Sequence, residues 1–86
     1  MRTIGFIEHS VYKITVFGWN EKYIVKIEAG FFEQHYKFRQ DEFASWQDLK
    51  LVFDELFIND IRKSFMQMGK DVKEAKIRYE NKPRIV

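Results

Sequence analysis

The hydrophobic residues of this chain change their spacing near residue 45, from every second position to every third or fourth. A period of two marks strands with one buried face, and a period near 3.6 marks amphipathic helices. A chain of 86 residues has room for only one core, so both parts must bury the same surface. The expected architecture is a single α+β domain over residues 1–86, with two or three helices packed on one face of an antiparallel sheet.

In the first part, VYKITVF (11–17) sets Tyr12, Ile14 and Val16 on one face, and YIVKIE (23–28) does the same with Tyr23, Val25 and Ile27. A two-residue turn at Trp19-Asn20 pairs Val16 with Tyr23 and Ile14 with Val25. The next stretch, FFEQHYKFRQ (31–40), interleaves aromatic and basic residues. A turn centred on Ala29-Gly30 sets Ile27 opposite Phe32 and Tyr23 opposite Tyr36. Phe32, Tyr36 and Phe38 then extend the apolar face, with Gln34 as its odd member. The result is a three-stranded meander, and TIGFIE (3–8) reads as a short extra N-terminal strand or an extension of the first.

In the second part, SWQD (45–48) resembles a capping box, with Ser45 as the N-cap. Trp46, Leu49, Val52, Phe53, Leu56 and Phe57 follow at helical spacing, and IND (58–60) offers a break. Ile61, Phe65, Met68, Val72, Ala75 and Tyr79 form a second stripe. Gly69 lies inside it, at a cost of about 1 kcal/mol against alanine, and is a point where the helix can end with Asp71 capping another. From about residue 81 the chain is expected to fray.

Composition narrows the function. There is no cysteine, which excludes disulfides, thiolate metal sites and thiol nucleophiles and suits a reducing compartment. No apolar run approaches signal-peptide or membrane-span length, so a cytoplasmic protein without a membrane partner is expected. Enzyme signatures are missing as well: no glycine-rich phosphate loop, no nucleophile elbow, no zinc-binding histidine pair on a helix. The two histidines, His9 and His35, fall on different expected strands, and a domain of this size leaves little volume for a ligand pocket. No catalysis, cofactor or metal is expected.

Two binding readings remain. Lys13, Lys26, His35, Lys37 and Arg39 share the polar sheet face, where they can meet phosphate, although Glu28 and Glu33 interrupt them. Lys73 and Lys76 belong to a basic C-terminal third, in which eight Lys/Arg face four acids. These residues support binding of DNA or RNA. The stronger reading is protein contact. Fifteen aromatic residues exceed what a small core hides. Phe17, Trp19, Ile24 and Phe31 are left over after the core is assigned, with Phe17, Ile24 and Phe31 on neighbouring strands at matched parity. A homodimer, or a complex with another protein, is the expected use of this surplus.

Overall fold

Two tight turns set the register of the sheet. The computed structural model describes residues 1–81 and holds four strands: β1 (Arg2–Ile7), β2 (Lys13–Trp19), β3 (Lys22–Ala29) and β4 (Phe32–Arg39). Asn20 and Glu21 close the β2–β3 hairpin with φ of 50° and 60°, the left-handed pair of a type I′ turn. Gly30, with φ of 61°, and Phe31 close the β3–β4 hairpin; glycine takes the first central position, as a type II′ turn requires.

Each turn lies one residue later than the sequence reading placed it. Val16 therefore faces Val25, Ile14 faces Ile27, Val25 faces Tyr36 and Tyr23 faces Phe38. Moving a two-residue turn by one position slides the partners by two, and a slide of two keeps every side chain on its face. The partners change; the apolar face does not.

The sheet is an antiparallel meander in the order β1-β2-β3-β4, so TIGFIE supplies a fourth strand. A bulge between Thr3 and Gly5 shifts its register on β2. The bulge brings Ile4 as well as Ile7 against the core, a spacing of three that a period-two search passes over. Two glycines make room beside it. A Cβ on Gly5 would lie 2.5 Å from Cη2 of Trp46, and one on Gly18 would lie 2.6 Å from Cδ1 of Ile4.

Two short 3₁₀ turns (Gln40–Glu42 and Trp46–Asp48) lead into α1 (Leu49–Val52) and α2 (Glu55–Asn81). Ser45 makes no side-chain cap bond, so the expected capping box does not form. The break between helices falls at Phe53-Asp54, and the Asp54 carboxylate caps α2 by accepting from the Phe57 amide at 2.8 Å. α2 then runs for 27 residues, through both IND and Gly69. Asn59 does not cap anything; its side-chain oxygen accepts from Arg62 on the helix surface at 2.9 Å. One glycine costs too little to stop a helix of this length. The tail expected to fray lies, from Lys82 onward, outside the described residues.

Ile7, Ile14, Val16, Val25 and Ile27 of the sheet meet Leu49, Ile61 and Phe65 of the helices, and Phe53 between them, in one core. Beside it Tyr36, Phe38, Phe43, Phe53 and Phe57 pack mostly edge to face, with centroids 4.9–6.0 Å apart. Gln34, the polar member of this face, is satisfied there. Its amide donates to the Ile61 carbonyl of α2 at 3.0 Å, and its side-chain oxygen accepts from the Tyr36 hydroxyl. Burial raises the Tyr36 pKa above its ordinary value.

Candidate interaction surfaces

The helices cover one face of the sheet and leave the other bare. Strand register sorts the bare face into rows across the sheet. Lys13, Glu28 and Glu33 form the row nearest the β3–β4 turn; then come Phe6, Thr15, Lys26 and His35, followed by Thr3, Phe17, Ile24 and Lys37. Trp19, Lys22 and Arg39 close the far end. The two acids that seemed to interrupt the basic face thus stand together in one end row. The rows beyond it carry Lys22, Lys26, Lys37 and Arg39 on β3 and β4, with Phe6, Phe17 and Trp19 beside them on β1 and β2.

Several of these side chains are engaged locally. The Lys26 ammonium lies 5.5 Å from the centre of the Phe17 ring, a cation–π distance. It also stands 4.0 Å from Glu28. Arg39 reaches Asp41 at 2.7 Å, and His35 Nε2 meets Glu33 at 3.1 Å. All of these lie at or near the surface, where such pairs contribute little to stability. Phe6 and Trp19 are half exposed, whereas Ile24 is buried and lies outside the main core. Ile24 therefore supports Phe17 from its own row and presents little surface itself.

Phe31 stands apart. It sits in the β3–β4 turn, at the end of the sheet opposite the β2–β3 turn near Phe17 and Trp19, and its side chain is fully exposed. What adjoins it is α2. The helix leaves the sheet over this turn: Phe65 is the last buried position, and Gly69 passes close to the Phe32 ring. From Lys70 to Asn81 every residue of α2 is exposed. Between this segment and the hairpin tip runs a groove of about 490 Å³, lined by Phe31, Phe32, Val72, Lys73, Lys76 and Ile77. Lys73 and Lys76 thus belong with apolar residues at the hairpin tip, away from the basic rows of the sheet.

The domain has more concave volume than its size suggested. A third surface, of about 350 Å³, lies between the β1–β2 loop and the start of α2, with His9, Tyr12, Phe53, Asp54, Ile58 and Arg62 around it. Three of its polar side chains are engaged within the chain. His9, which lies in the loop and not on a strand, stacks on Tyr12 at 5.3 Å and accepts at Nδ1 from the Val11 and Tyr12 amides. Asp54 caps α2, and Arg62 holds Asn59. Among the described residues no group of three or more His, Cys, Asp or Glu side chains is placed to hold a metal ion, and no helix is long and apolar enough to cross a membrane.

The chain matches no family model, curated protein or solved structure compared with it. Phe6, Lys22, Val72, Ile77 and Tyr79 join these surfaces without having been singled out for them in the sequence. The bulge in β1 conceals Phe6, and Lys22 sits at the start of a strand whose register depends on the turn. Val72 and Tyr79 continue a stripe whose first members are core.

Proposed function

We propose that this chain is a small non-catalytic protein-interaction domain that acts as a homodimer in the cytoplasm. One observation carries the reading: the exposed end of α2 and the hairpin tip concentrate apolar side chains. Phe31, Val72, Ile77 and Tyr79 are 104%, 38%, 46% and 72% exposed at this end of the molecule. Isolated helices shorter than roughly 12–15 residues are marginal in water, so a free helix end with apolar groups gains from a partner. Light scattering across about 1–300 μM tests this, because dimerisation is concentration-dependent. The expected result is a mass rising from 10.5 kDa to twice that value. A monomer at every concentration overturns it.

A second reading is favoured by the row order of the bare sheet face. With the acids confined to one end, Lys22, Lys26, Lys37 and Arg39 on β3 and β4 flank one side of the half-exposed Phe6 and Trp19 on β1 and β2. A basic strip beside aromatic rings suits a single-stranded nucleic acid, whose bases stack while its phosphates pair. Polarisation of a labelled oligonucleotide should then change at low salt and fall steeply as salt rises. No change with single-stranded DNA or RNA at low salt eliminates this reading.

A further inference from the structure

The homodimer reading can be taken to a definite interface. Ile61, Phe65, Met68, Val72, Ala75 and Tyr79 recur at alternating steps of four and three, the a/d repeat of a coiled coil. The sheet covers the first members of this stripe, and Val72 and Tyr79 lie exposed beyond its edge. With Val72 and Tyr79 at a and Met68 and Ala75 at d, Asp71 and Arg78 both fall at g. These two have opposite charge, and among the described residues neither takes part in an ion pair within the chain.

We infer that the exposed end of α2 pairs antiparallel with the same segment of a second copy across a two-fold axis. In an antiparallel pair a faces d and g faces g. Val72 then packs on the partner's Ala75, Met68 on the partner's Tyr79, and Asp71 meets the partner's Arg78, each contact occurring twice. The partner helix occupies the level of the sheet just beyond the β3–β4 turn. Its Tyr79 therefore arrives beside Phe31 and Phe32, the hairpin-tip rings that line the groove along α2. A parallel pair is disfavoured by shape. Both sheets lie on the a/d side of their own helices, and parallel helices would bring them together at Gly69. Antiparallel helices carry them to opposite ends.

This inference rests on the homodimer reading, and charge reversal separates the two. Asp71→Arg places Arg against Arg at both contacts, and Arg78→Asp places Asp against Asp. Each single variant should weaken the dimer by about tenfold or more, since both pairs turn from attraction to repulsion. The double variant should return to within about threefold of the original chain, because it restores both pairs. Mixing the two single variants should give a heterodimer in which both contacts are again Arg to Asp. Both sites are exposed, and among the described residues the one side-chain bond lost is that from Gln67 to Asp71 at 2.8 Å, so the monomers should melt together. A dimer indifferent to both reversals overturns the helix pairing while self-association stands. Weakening by Asp71→Arg alone also overturns it, since a parallel pair would set Asp71 against the partner's Lys76. A monomeric original chain overturns the homodimer reading itself.

Discussion

The two halves of α2 carry one pattern and meet two fates. From Glu55 to Gly69 the helix lies on the sheet, with Ile61 at 0% exposure and Phe65 at 8%; from Lys70 to Asn81 the same stripe continues, and Tyr79 is 72% exposed. Neither propensity nor spacing distinguishes the halves. The difference lies under them, because the sheet ends at the β3–β4 turn and the helix does not. Periodicity tells which side of a helix is apolar, and says nothing of how far the surface opposite extends.

The contrast can be broken most sharply by truncating one stripe residue in each half. Phe65→Ala should cost about 3–5 kcal/mol in urea unfolding, the usual loss for a buried phenylalanine. Tyr79→Ala, measured at a concentration where the chain is monomeric, should stay within about 0.5 kcal/mol. A large loss at Tyr79 in the monomer would mean that the outer half packs on its own chain. Next in size is Gly5→Ala, which pushes a methyl into the Trp46 ring just ahead of α1. It should cost about 1–3 kcal/mol, more than Gly18→Ala, where the obstacle is the flexible tip of Ile4. Asp54→Ala removes the cap at the start of the supported half and should cost about 1 kcal/mol. Hydrogen exchange should then rise most in the first turn of α2.

The smallest effect is one of pH. The Tyr36 hydroxyl has its pKa raised by burial above the ordinary 10.0. Above that value the unfolded chain releases this proton before the folded chain does, so stability falls as pH rises from about 10 through the folded pKa. In Tyr36→Phe this part of the alkaline loss should be absent. A pH dependence unchanged by the substitution would remove Tyr36 as its source.

The faces of the meander were legible in the sequence because hydrophobic parity restricts register to even steps. The turns themselves were less so. Neither Asn20-Glu21 nor Gly30-Phe31 is the commonest residue pair for its turn, and Glu21 takes a left-handed conformation that favours glycine or asparagine. β1 was half hidden because its bulge replaces a spacing of two by one of three. In the helical part Leu49, Phe53, Ile61 and Phe65 of the expected stripes reach the core, but Leu56, Val72 and Tyr79 are exposed and the join between helices falls elsewhere than expected. Asn59 has the residue type of a cap, while Asp54 has the position, immediately before a turn whose amides it can reach. On the surface, Lys73 and Phe31 looked like members of separate sites. Only the path of α2 over the hairpin tip brings them to one groove.

Gly69 takes on a mechanical meaning from where it sits. The helix beyond it is an arm of about 18 Å at 1.5 Å per residue, anchored on the sheet at Phe65 and free from Lys70 onward. A sideways load at Asn81 is therefore levered back to the rim of the sheet, where the helix has its one residue without a Cβ. Bending concentrates at such a joint. A Cβ added there would find only the edge of the Phe32 ring, at 3.9 Å. An alanine at this position would fit and stiffen the arm, so the compliance of the joint comes from the glycine itself and not from any lack of space around it.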